Sequence, residues 1–154
     1  VDIRRDDLRH PAVIDLLRLH LDGMRAHSPE GSVFALDLEG LKAPDVSVWT
    51  AWRGETCLGI GALRRLSANL GEVKSMRTHP GALRQGVGAA LLERIIATAR
   101  AEGLARLSLE TGSGPAFAPA LALYRAHGFT PGAAFGGYTQ SPFNQFLHLD
   151  LGSG

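Results

Sequence analysis

Apolar residues recur along this chain first at helical spacing, then in strand-like runs, then in alternation of the two. Val13, Leu16, Leu17, Leu21 and Met24 follow Pro11 at helical intervals, so an amphipathic helix is expected over 11–25. A short strand over 1–5 precedes it. Ser28-Pro29-Glu30-Gly31-Ser32 breaks the helix, Ser32 is the expected cap of a second short helix reaching Leu41, and Pro44 ends that segment. Three β-rich runs follow, over 46–53, 57–66 and 71–78. Close spacing and the Arg53-Gly54-Glu55 turn make them an antiparallel meander. Val87, Leu91, Leu92, Ile95, Ile96 and Ala99 then form a second helical stripe, stopped by Gly103. A strand over 106–110 after a helix implies a parallel crossover. Phe117, Ala120, Leu121 and Tyr124 share a third helical face ending at Gly128, and a closing strand is expected over 143–151. The pattern predicts an α/β fold: one domain over 1–154, with a mixed, mostly antiparallel sheet flanked by helices.

Composition narrows the class. The 154 residues suffice for one sizeable core. A formal charge of +1 gives no field to draw nucleic acid or an anionic membrane. No apolar run approaches the roughly 18 residues of a membrane span. Cys57 is the single cysteine, so no intramolecular disulfide forms. With no basic stretch and apolar run opening the sequence, a cytoplasmic protein is expected. The six histidines show no metal-ligand spacing, so no metal is expected. The oligomeric state stays open, a homodimer included.

The segment Leu83-Arg84-Gln85-Gly86-Val87-Gly88-Ala89 joins a strand to a helix. Two glycines and a small Ala89 let the backbone approach a ligand. The unpaired first amides of the helix and its positive dipole end suit a pyrophosphate; a Gly-rich turn with no ligand is the plainer alternative. No Lys-Ser or Lys-Thr follows the second glycine, as a P-loop requires. Position 91 is Leu91, where a dinucleotide fingerprint would continue with glycine.

This loop resembles the acetyl-CoA pyrophosphate loop of the GNAT superfamily of N-acetyltransferases, and Leu123-Tyr124-Arg125-Ala126-His127-Gly128-Phe129 is similar to its downstream Leu-Tyr-x-x-x-Gly-Phe segment. The likeness is closer to the YsnE-like bacterial acetyltransferases. It rests on Ser28-Pro29, Ala35-Leu36, Gly61-Ala62-Leu63, the run Gly71-Glu72-Val73-Lys74-Ser75-Met76-Arg77-Thr78, and Leu107-Ser108-Leu109-Glu110-Thr111-Gly112, spanning nearly the whole chain. Two positions depart from the superfamily pattern: Leu83 stands where Gln or Arg is usual, and Phe117 where Asn is frequent.

The resemblance implies acetyl-CoA as cosubstrate and a primary amine of a small molecule as acceptor. It places Arg84, Gln85, Gly86, Val87, Gly88 and Ala89 around the pyrophosphate. The backbones of Met76 and Thr78 would line the pantetheine arm. It makes Tyr124 the acid that protonates the leaving sulfur, although its helical position also suits a core tyrosine. Glu72 is the expected base, because it begins the strand entering the loop and stands at the spacing of the catalytic glutamate of histone-acetylating members; a glutamate paired with Lys74 is the alternative. Strict alternation puts Glu72, Lys74, Met76 and Thr78 on one face and Arg77 on the other. Glu110 either reaches the cleft near Glu72 or pairs with an arginine. His20 and His27, seven apart on the first helix, either line an acceptor pocket or lie on the surface. Cys57 is a packing residue. A non-catalytic acyl-CoA sensor or scaffold would keep the loop and need neither Glu72 nor Tyr124.

Overall fold

A computed structural model describes residues 1–152. Seven strands form one sheet: β1 (Asp2–Arg5), β2 (Val46–Arg53), β3 (Thr56–Arg65), β4 (Leu70–Thr78), β5 (Arg106–Thr111), β6 (Thr130–Pro131) and β7 (Gln145–Asp150). Their order is β1-β2-β3-β4-β5-β7-β6, and only the β4–β5 pair is parallel. The mixed, mostly antiparallel sheet therefore has the expected form.

Helices cover both faces, and alternation along the strands sorts the core into two. One face carries α1 (Pro11–His27) and the four-residue α2 (Leu38–Leu41). Val13, Leu16, Leu17 and Leu41 pack there on Val48, Ile60 and Ala62. The other face carries α3 (Val87–Ala101) and α4 (Ala118–Ala126). Every residue of the predicted α3 stripe is buried, against Leu63, Val73, Leu107 and Leu109. Each such side chain contributes about 1.5–3 kcal/mol by leaving water.

Local corrections have simple causes. α1 starts where proposed, with Pro11 in its first turn and the His10 imidazole accepting from the Ala12 amide at 3.0 Å. The cap of α2 is Asp37, not Ser32: its carboxylate accepts from the Gly40 amide at 2.9 Å. The closing strand starts at Gln145, because Ser141 and Asn144 are held in a side-chain-bonded turn.

The larger correction concerns β4. Ala62 faces Lys74, but Ile60 faces Arg77, so two residues of β4, Ser75 and Met76, stand against Gly61 alone. This is a β-bulge, and Ser75 carries φ of 58°, a left-handed conformation costly for a residue with a Cβ. The extra residue inverts the alternation beyond it. Glu72, Lys74 and Arg77 face the α1 side. Met76 instead turns toward α3, its sulfur 2.7 Å from where a Cβ on Gly61 would stand, and Thr78 approaches Gly88 at the start of α3. The expectation that Met76 and Thr78 share the face of Glu72 is thus overturned, as is the placing of Arg77 opposite.

Candidate active site

β4 and β5 pair only from Leu70↔Arg106 to Glu72↔Ser108. Beyond Glu72 the ladder stops, while β4 runs on to Thr78 and β5 to Thr111. The gap opens into a cleft of about 530 Å³. Its walls come from α1 (His20, Gly23, Met24, His27), the following loop (Phe34, Ala35), β4 (Val73 through Thr78), the ends of β5 (Glu110, Thr111), the start of α3 (Gly88) and the α4 region (Phe117, Leu123, Tyr124).

The glycine loop delivers the α3 terminus to one end of this cleft. Gly86 precedes the helix at φ of 80°, a conformation natural to glycine. No side chain caps the helix, so its first amides keep no side-chain partner. A Cβ on Gly88 would meet the Leu123 side chain at 3.1 Å and Thr78 Oγ1 at 3.7 Å. Glycine there keeps the passage between β4, α3 and α4 open. Arg84 is exposed, and Gln85 accepts from Arg53 at 3.0 Å, so the loop offers backbone rather than a fixed cluster of charges.

Tyr124 is buried and lines the cleft, stacked edge-on against Phe129 at 5.8 Å. Burial pushes its phenol above the ordinary tyrosine range, with the Arg77 charge opposing, so the hydroxyl keeps its proton.

Glu72 lies near the start of β4, as expected, and pairs with Lys74. Its side chain is 2% exposed and is not among the residues lining the cleft. Its carboxylate accepts from the Tyr138 hydroxyl at 2.5 Å and from Lys74 Nζ at 3.4 Å. Lys74 also donates to Tyr138 at 2.8 Å and to the Phe34 carbonyl at 3.0 Å. The three side chains tie β4 to two loops. Tyr138 was not anticipated, because the Gly- and Ala-rich segment around it has no periodicity to mark it.

Glu110 does reach the cleft. Burial pushes its carboxyl up to about 7, with the nearby Lys74 cation opposing and the Glu72 anion adding. His20 and His27 also line the cleft, His27 exposed and His20 buried. Burial and the charges of Arg77 and Lys74 push His20 down to about 3, so it is neutral at physiological pH. Cys57 is buried in the α1-side core, a packing residue as expected. Among the described residues no group of His, Cys, Asp and Glu is placed to hold a metal, and no helix is long and apolar enough to cross a membrane.

Comparison with known proteins agrees with this architecture. The model of the acetyltransferase (GNAT) family matches residues 13–129. The chain is 45% identical over 149 residues to the uncharacterized N-acetyltransferase YedL of Escherichia coli K12, covering 97% of this chain and 94% of that protein. It is 43% identical to the uncharacterized N-acetyltransferase YsnE of Bacillus subtilis 168, covering 97% and 99%. A GNAT family acetyltransferase from Elizabethkingia anophelis, solved with acetyl-CoA bound, shares the fold at a TM-score of 0.68 with 17% identity, covering 97% of both chains. The splayed strands, the uncapped helix end beside them and these matches lead to one assignment: the chain belongs to the GNAT acetyltransferase family.

Proposed function

We propose that the protein transfers the acetyl group of acetyl-CoA to a primary amine of a small molecule, within the cleft between β4 and β5. The observation that carries this reading is that the start of α3, Tyr124 and Glu110 all line one cavity. The chain fits the cosubstrate in two ways. The amides of Val87, Gly88 and Ala89, with the backbone of Arg84, Gln85 and Gly86, suit a pyrophosphate. The β5-side edge of Ser75 to Thr78, with no ladder partner beyond Glu72, can receive an extended pantetheine arm as an added strand. A role for Met76 and Thr78 then rests on their backbones.

Bound acetyl-CoA supplies an activated thioester. Holding it beside the amine makes the encounter effectively unimolecular. Glu110 takes the proton that the attacking amine must lose, directly or through a water. An acid with pKa near the working pH suits this task, because a good fraction is ionised and that fraction is still basic. As the C–N bond forms and the C–S bond breaks, Tyr124 gives its proton to the departing sulfur. Glu72, first expected as base, is buried against Lys74 and Tyr138, and its role in this account is to neutralise Lys74 and fix Tyr138. A cleft of this volume accommodates the end of the cosubstrate and a small acceptor. Amine-dependent release of CoA thiol, with acetyl-CoA and a panel of small amines, tests the reading; basic peptides acetylated in preference to small amines would count against it.

A further inference from the structure

The transfer chemistry leaves Arg77 unused. Its Nε donates to Nδ1 of His20 at 3.0 Å, and its Nη2 reaches the His20 carbonyl at 3.4 Å. A ring nitrogen that accepts must carry its lone pair, so His20 is the neutral tautomer with its proton on Nε2. His20 therefore orients the guanidinium without cancelling its charge. Among the described residues no carboxylate pairs with Arg77. Lys74 differs: its ammonium donates to Phe34, Tyr138 and Glu72, and the last balances its charge.

Position adds a second observation. The bulge at Ser75 turns Arg77 onto the α1 wall of the cleft, away from the α3 terminus where phosphates would bind. Gly23 of α1 lies directly against the guanidinium, and a Cβ there would stand 3.0 Å from Nη2. Glycine at this turn of α1 is what lets helix and cation pack together. Keeping a half-buried cation without a counter-ion is costly unless something else supplies the anion.

We propose that Arg77, oriented by neutral His20, binds a carboxylate on the acceptor, and that the acceptors are small amines carrying their own carboxylate, as amino acids do. The proposal rests on the acetyltransferase reading and names its substrate class. A guanidinium offers a fork matched to a carboxylate. The same cation repels a lysine-rich protein tail.

The test compares free L-amino acids with their C-terminal amides, by thiol release, in wild type, Arg77→Gln, Arg77→Lys and Gly23→Ala. CoA affinity is measured calorimetrically in each. Wild type should prefer the free acids. In Arg77→Gln the acid-over-amide ratio of kcat/KM should fall roughly 10- to 100-fold, mainly through KM, as for loss of one charge-assisted pair. Arg77→Lys should recover part of the ratio, and CoA affinity should hold. Gly23→Ala keeps the guanidinium but makes it give by a few tenths of an ångström, and should lower the ratio in the same direction, which covers the case of an Arg77 variant that fails to fold. Amides used as well as acids by wild type, equal losses for both classes in Arg77→Gln, or a fall in its CoA affinity would each overturn the proposal. If wild type releases no thiol with any amine, the acetyltransferase reading is what has failed. Direct titration of amino acids and amides into wild type and Arg77→Gln then still decides whether Arg77 holds a carboxylate.

Discussion

Replacing Glu110 by glutamine removes a proton acceptor while keeping the shape of the side chain. With its carboxyl near 7, Glu110 is about half ionised at pH 7 and about one-tenth ionised at pH 6. Wild-type kcat/KM should therefore carry an acid limb that falls roughly tenfold per pH unit well below 7. The acceptor amine adds its own ionisation, but that contribution cancels when the wild-type profile is divided by the Glu110→Gln profile. The ratio should rise with pH to a plateau above about 7, at roughly 10²- to 10⁴-fold, the usual loss when a general base is removed. Stability should move the other way. A carboxyl raised from 4.5 to about 7 binds its proton more tightly in the folded state, so wild-type stability declines as pH rises between those values. The full shift corresponds to about 3 kcal/mol, and water in the open cleft reduces this to roughly 1–2 kcal/mol. Glutamine carries no such charge, so at pH 8 the variant should melt above wild type. Thermal melts at pH 5 and pH 8 beside the rate profiles check both halves. A ratio of profiles that stays flat with pH would refute Glu110 as the base.

Other outcomes follow from the same geometry. Glu72→Gln should act first on stability: it leaves the Lys74 charge buried without its partner, at about 3–5 kcal/mol in denaturant titrations. A folded Glu72→Gln protein at full stability with a 10²-fold slower rate would return the base to Glu72. Tyr124→Phe should lower kcat with little change in CoA affinity, and the loss should shrink with acyl donors whose leaving thiol is more acidic; equal losses for all donors would remove Tyr124 as the acid. Gly88→Val should weaken CoA binding in calorimetry without unfolding the chain, because its side chain would press on Leu123 and Thr78; unchanged affinity in the folded variant would displace the cosubstrate from the loop.

Most of the architecture was legible because apolar periodicity reports burial directly. The α3 stripe and the three-strand meander lie where the pattern put them. The glycine loop was legible because few residues other than glycine tolerate the Gly86 conformation or leave the space kept open at Gly88. What the pattern hid was the bulge. Nothing in Lys74-Ser75-Met76-Arg77 announces an extra residue against Gly61, yet that residue decides which side chains share a wall. Alternation therefore grouped Met76 with Glu72 and turned Arg77 away, the reverse of what the fold does. Tyr138 was invisible for another reason. It comes from an irregular segment, and only tertiary contact brings it to Glu72 and Lys74. Glu110 was left between two roles, because a strand-end position does not say whether a neighbouring arginine or a cleft awaits it.

The central claim is that this cleft brings acetyl-CoA and a small amine together for transfer. Thiol release from acetyl-CoA, measured with and without an amine panel alongside calorimetric CoA binding, tests it most directly. The account predicts that CoA binds and that thiol appears only when an acceptor amine is present, with the rate cut by Glu110→Gln while CoA affinity is kept. Tight CoA binding with no amine-dependent release for any acceptor would contradict it and leave an acyl-CoA sensor in its place.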